Sequence, residues 1–265
     1  MRVGWTRQAK PVPASEPAYE LIVVCEAQAD QGTACGLADR ILVEKIDWLE
    51  PEMLDSQRRW RGLSATHGSF LKWAAVREES ERAGLRNIFG HFQGRPGEPD
   101  AHMARRALLL LVQLDLRPDA VLLVRDSDGD SRRRIGLEQA RNDRAWPFEV
   151  VIGVAEPKRE CWVLAGFDAK GPDEVERLRK VSERLSFHPI KDAYRLIARE
   201  HGAKTDAKVA LEELTLGDLE RERECLRETP LSTLEERGER TGLAAYIQEV
   251  RQRLVPILGG RAPGM

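Results

Sequence analysis

The sequence predicts an α/β fold: a mainly parallel sheet with helices on both faces, followed by a helical C-terminal region. Three observations predict it. Short apolar runs rich in β-branched residues recur as "YELIVVCE", "DAVLLVRD" and "FEVVIGVAE". Segments with helical spacing separate them, as the crossovers of a parallel sheet require. After about Pro157 the strand signals stop, and what remains reads as helices. The expected organisation is a loose arm over residues 1–18, which holds three prolines, an α/β domain over 19–168 and a helical region over 169–265.

The elements follow in order. "YELIVVCE" is a buried strand, and Leu37, Ile41 and Leu42 in "AQADQGTACGLADRILVEKI" place a helix after it. Residues 48–68 are irregular and rich in Trp. A second helix is expected over Phe70–Ala83, then a Gly- and Pro-bearing loop in "RNIFGHFQGRPGEPD". Asp100 is placed to cap the helix "AHMARRALLLLVQL". The second strand, "DAVLLVRD", precedes a helix in "SRRRIGLEQARND", and "FEVVIGVAE" is the third strand. The C-terminal helices are "DEVERLRKVSERL", "DAKVALEELTLGDLERERECL" and "AAYIQEVRQRLVPIL".

Composition narrows the function. Apolar residues make up 42% of the 265, enough for a core, and 32% are charged. The formal charge of −2 argues against an autonomous nucleic-acid binder with a strongly basic surface, while leaving room for a local basic patch. Cys25, Cys35, Cys161 and Cys225 form no CxxC pair and no zinc spacing, so reduced, structural thiols of a cytoplasmic protein are expected. The N-terminus lacks the apolar centre of a signal peptide. The longest apolar stretch, "ALLLLVQL", is far short of the ~20 residues a membrane helix needs.

Acids gather where the strands end. In an open α/β sheet, functional groups collect just past the carboxyl ends of the strands. The first strand ends in Glu26 with Asp30 nearby, the second in Asp126, Asp128 and Asp130, and the third in Glu156 with Glu160 beyond it. Several carboxylates facing one crevice repel unless cations or protons neutralise them. Oxygen ligands without His or Cys favour Mg²⁺, Mn²⁺ or Ca²⁺ over zinc. The plainer reading of "DSDGDS" is a turn that caps the following helix. It is not a calcium loop of the EF-hand type, because Gly129 precedes the third Asp and the twelfth position is Leu137.

"LIVVCEAQAD" and "LLVRDSDGD" together resemble the two acidic motifs of the TOPRIM domain, found in topoisomerases, DnaG-type primases, recombination mediators and OLD-family nucleases. "VIGVAEPKRECWVLAG" further resembles a compact TOPRIM-like bacterial group with a Glu-x-Trp pair, matched by Glu160 and Trp162. Proteins of that group are often encoded beside ATPases and are suspected of roles in phage defence. The resemblance covers about Leu21 to Gly166, and the C-terminal helices only loosely. It departs at Ala27, where the family commonly has Gly.

The resemblance implies phosphoryl transfer on nucleic acid by strand cleavage, with DNA the expected partner and RNA the alternative. Mg²⁺ or Mn²⁺ would be held by Glu26, Asp126 and Asp128 as the catalytic acids, with Asp130 and Glu160 candidates for a second ion. Asp30 and Glu156 complete the metal-ligand candidates. Arg132, Arg133 and Arg134 follow the acids and are candidate phosphate contacts, against a solvated helix face that balances them. Tyr19, Tyr194 and Tyr246 have no context suggesting a topoisomerase nucleophile.

Other signals are weaker. His67 and His91 lie in loops that could bring a general base to the acids, though surface or packing histidine is the ordinary reading. "REHGAKTDAK" lacks phosphate-loop spacing, so ATP would have to come through a partner ATPase; Lys204 and Lys208 read as a solvated helix start. Trp146, Phe148 and Trp162 read as core, and the charged stretch "EELTLGDLERERECLRE" as a solvated face or a docking face for a partner or second copy. The rival to the nuclease is a non-catalytic interaction subunit docking on an ATPase; a nucleotide phosphohydrolase is a third, narrower reading.

Overall fold

The structure, a computed structural model, describes residues 17–63 and 68–260; most of the expected N-terminal arm and His67 lie outside the described residues. Five parallel strands form one sheet: β1 (Tyr19–Cys25), β2 (Arg58–Arg61), β3 (Leu71–Lys72), β4 (Ala120–Asp126) and β5 (Glu149–Ala155). Their order is β2-β1-β4-β5, with β3 pairing the far end of β1 on the same edge as β2. The helices are α1 (Gln28–Lys45), α2 (Leu54–Gln57), α3 (Val76–Arg82), α4 (Ala101–Gln113), α5 (Arg132–Arg141), α6 (Arg159–Ala165), α7 (Pro172–Leu185), α8 (Ala207–Thr215), α9 (Leu219–Glu228), α10 (Leu231–Gly238), α11 (Leu243–Glu249) and α12 (Val255–Gly259). No described helix is long and apolar enough to cross a membrane.

The pleat sorts the strand residues into two cores. Leu21, Val23, Cys25, Ala120, Leu122 and Val124 meet α1, α6 and the C-terminal helices. Ile22, Val24, Val121, Leu123, Val150 and Ile152 meet α3, α4 and α5 on the other face. Alternation with both faces buried is why the strands read as continuous apolar runs.

The C-terminal helices belong to the first of these cores. Trp162 on α6 stacks on Tyr246 of α11 with centroids 5.0 Å apart, and the Tyr246 hydroxyl donates to the Ala34 carbonyl at 2.8 Å. Thr241 accepts from Trp162 Nε1 at 2.7 Å. The edge strand β5 is covered in the same way. Ile152 N–H donates to Glu249 at 3.3 Å, the Val154 carbonyl accepts from Arg134 at 3.3 Å, and Glu156 N–H donates to the Thr241 carbonyl at 2.9 Å.

Two elements depart from the sequence reading. The expected helix over Phe70–Ala83 begins instead as β3 and a 3₁₀ turn, Trp73–Ala75, with α3 confined to Val76–Arg82. Burial decides this: Leu71 and Trp73 are drawn under the sheet, and Trp73 Nε1 donates to the Val124 carbonyl at 2.7 Å. Within the segment read as irregular, "RRWR" is strand β2. Its ties are polar: Arg58 forks onto Asp39 at 2.7 and 2.8 Å, Trp60 Nε1 joins the same carboxylate at 2.9 Å, and Arg61 pairs with Glu20.

Candidate functional site

Glu26 and Asp126 stand at the carboxyl ends of the adjacent strands β1 and β4, where Val24 pairs with Leu123. The pleat sends them to opposite faces. Glu26 is in phase with Ile22 and Val24, and Asp126 with Leu122 and Val124. The seven acids expected at the strand ends therefore divide into groups, each with its own company.

The first group surrounds Asp126 on the α1 and α6 side. Asp126 Oδ1 accepts the Arg159 backbone N–H at 2.9 Å, at the start of α6. Burial first, then the charges of Asp30, Glu160 and Glu26, together push the Asp126 carboxyl up to about 8, against the lowering pull of the Arg159 N–H. Asp30 is also raised, first by burial, although its carboxylate accepts the Ala27 N–H at 2.9 Å at the start of α1. Arg159 turns its guanidinium to Thr33 at 3.2 Å, Glu222 at 3.2 Å and Glu160 at 3.5 Å. It thereby joins the acids to a cleft of about 580 Å³ between α1 and α9, lined by Gln28, Gly32, Thr33 and Glu222 among others.

The second group lies on the α4 and α5 side and is threaded by arginine. Arg125 pairs with Glu26 at 2.6 Å and with Asp100 at 3.0 Å. Arg133 pairs with Asp128 at 3.3 Å and approaches Asp100 at 3.7 Å, while donating to the Asp126 carbonyl at 3.2 Å. Asp100 does sit at the start of α4, but its side chain caps nothing there and serves Arg125 instead.

The remaining acids are held locally. Asp128 (φ 48°) and Gly129 (φ 81°) make a left-handed turn, a conformation that Asp and Gly tolerate. Asp130 accepts from the Arg132 backbone N–H at 3.2 Å and its guanidinium at 2.8 Å, which holds its carboxyl below the usual range. Glu156 meets Arg134 at 3.5 Å. All three arginines of the run thus face acids of their own chain. Ala27 has extended backbone, φ −142° and ψ 168°, so its Cβ costs no strain where the resembled family has Gly.

Among the described residues, no three His, Cys, Asp or Glu side chains stand close enough together to hold a metal ion. In donor chemistry the Asp126 group fits a hard divalent cation: it offers oxygen alone, and carries a carboxyl that burial and like charge keep protonated near neutrality. In placement it falls short: its acids are not close enough together for a shared ion, and Glu26 is engaged by Arg125 across the sheet edge.

Arg125 and Arg159 are not among the residues that the sequence singles out, and Asp100 is read there only as a helix cap. Arg125 did carry a signal, a charge beside Asp126 in an otherwise apolar strand; Arg159 carried none. His91 is exposed on its loop, and Trp146, Phe148 and Trp162 pack as core or partly buried residues. The chain matches no protein-family model, no curated protein and no solved structure.

Proposed function

We propose that this protein is a nuclease of the TOPRIM type, hydrolysing phosphodiester bonds of nucleic acid, DNA above all, with Mg²⁺ or Mn²⁺. The observation that carries the reading is Asp126: a carboxyl at the end of a central strand, pushed up to about 8 among Asp30, Glu160 and Glu26, with no cationic side chain paired to it among the described residues. A structural acid is ordinarily given a partner; an acid kept short of positive charge suits a cation brought from solution.

Asp126, Asp30 and Glu160 stand too far apart to hold an ion as they are; on this reading they draw in around it, with Glu26, now paired with Arg125, as a further donor from across the sheet edge. When bound, a divalent cation polarises phosphoryl oxygens and makes a coordinated water more acidic. The chain's own residues do the rest. Arg159 N–H fixes one Asp126 oxygen and leaves the other for the ion. Arg125 and Arg133, freed in part from Glu26 and Asp128, would orient phosphate oxygens on the opposite side of the strand end.

The test is incubation with supercoiled plasmid, linear DNA and RNA in Mg²⁺, Mn²⁺ or EDTA, beside Asp126→Ala/Asp128→Ala and Glu26→Gln. Cation-dependent cutting, lost in variants that stay folded, is expected. No cutting, together with no heat of Mn²⁺ binding in calorimetry, would refute the proposal. A second reading, a non-catalytic subunit that docks on a partner ATPase, is favoured by one observation: Glu26, Asp128, Asp130 and Glu156 each already face an arginine. Under it, Glu26→Ala and Asp126→Ala leave function intact.

A further inference from the structure

Phe89 is the most exposed large apolar residue described, at 75%. A lone exposed ring is unremarkable on a protein surface. This one is held in place from beneath. Arg105, buried under the loop, donates to the Phe89 carbonyl at 3.2 Å and the His91 carbonyl at 2.9 Å, and is fixed in turn by Asp143 at 2.6 Å. His102 Nε2 lies 3.0 Å from the Gly90 carbonyl. The backbone on either side of the ring is therefore tied down while the ring faces out.

The ring borders a groove of about 710 Å³ between α3 and α4, lined also by Arg77, Arg86, His102, Met103 and Arg106. Its charge is uncommon for this molecule. The arginines at the strand ends are all paired with acids, whereas Arg86 and Arg106 have no carboxylate partner among the described residues. The only acid lining the groove among those residues, Glu81, is neutralised by Arg77 at 3.0 Å. A chain of net charge −2 thus keeps a local basic groove around an outward aromatic ring.

We propose that this groove binds single-stranded nucleic acid, with an unpaired base stacked on Phe89 and phosphates on Arg86 and Arg106. A fixed aromatic face beside guanidinium groups is the chemistry that holds a single strand, and a duplex keeps its base faces stacked away from such a ring. The groove and the acids meet α4 at neighbouring positions. His102, Met103 and Arg106 of α4 line it, and Asp100, just before α4, pairs with Arg125, which pairs with Glu26. From Asp100 to Arg106 is about 9 Å along the helix. The destination of the strand rests on the nucleolytic reading above; the binding itself does not.

The experiment is fluorescence anisotropy in EDTA with a labelled 20-nucleotide oligothymidine and a 20-base-pair duplex, on the whole protein. The wild type should prefer the single strand. Phe89→Ala should weaken it about tenfold or more, and Phe89→Trp should restore it. Arg86→Ala/Arg106→Ala should lower the slope of log affinity against log salt by about 1.4, two phosphate contacts. Phe89 and Arg86 are exposed, so unchanged thermal unfolding certifies these variants. Equal affinity for duplex, or variants that bind with wild-type affinity and slope, overturns the proposal. So does a Phe89-dependent protein partner with no oligonucleotide binding. Cation-dependent cutting indifferent to Phe89 refutes the groove and leaves the nuclease; Phe89-dependent binding without cutting or metal binding does the reverse.

Discussion

Replacing Asp126 by Asn should stabilise the protein in EDTA, and by an amount that grows with pH. Asn keeps an oxygen to accept the Arg159 N–H at 2.9 Å, so the change removes the ionisation and little else. In the fold the Asp126 carboxyl holds its proton up to about 8, against 3.8 when unhindered. Between those values the unfolded chain has released the proton and the folded chain has not. Stability from this group is therefore fully present below pH 3.8 and is lost as pH rises through 8. At 1.36 kcal/mol per unit the loss relative to Asn reaches at most about 1.6 kcal/mol at pH 5 and about 4 kcal/mol at pH 7. Urea unfolding followed by Trp fluorescence at pH 5, 6, 7 and 8 measures the difference, because other titrating groups are common to both proteins. Saturating Mn²⁺ should abolish the advantage of Asn by displacing the proton in the wild type. A difference that stays flat from pH 5 to pH 8 would mean that Asp126 is ionised and compensated, and the site reading would fail with it.

Two further outcomes are expected. Gly136→Ala should cost about 3 kcal/mol in urea unfolding, since a Cβ there meets the Pro99 carbonyl oxygen at 1.9 Å; Gly32→Ala, with open space around it, should be neutral or stabilise by about 0.5–1 kcal/mol. The four buried cysteines should resist iodoacetamide at pH 8 until denaturant is added, since burial pushes the Cys25 and Cys225 thiols up to about 12; rapid labelling of native protein would contradict that.

What could be read from the sequence tracks what is local. β1, β4 and β5 announce themselves because both faces are buried, so residues 21–25, 120–124 and 150–155 include no charged side chain. β2 does not, because "RRWR" is a strand by virtue of Asp39 and Glu20, partners that only the fold supplies. β3 is two residues long and carries no period at all. The C-terminal stretch read as one helix breaks at Leu216 (φ 57°) and Gly217 (φ 71°), although Gly217 was visible. Strand ends placed the acids at one edge of the sheet, but a list of ends says nothing about phase. Whether Glu26 and Asp126 share a face depends on the register of β1 against β4, which is a long-range fact. The arginines that engage these acids arrive from α5, α6 and β4, and no spacing rule anticipates such meetings.

The covering of β5 has a consequence for the nascent chain. An uncovered outer strand is a template for pairing with another molecule. Here its groups are met by Arg134, Thr241 and Glu249, the last about 90 residues downstream of β5; at 5–20 residues per second, synthesis takes roughly 5–20 s to reach it. For that interval the sheet is built but sticky along one side. A ribosome stalled before α11 would hold out such a chain, and chaperone occupancy on ribosome-bound fragments should fall once α11 clears the exit tunnel.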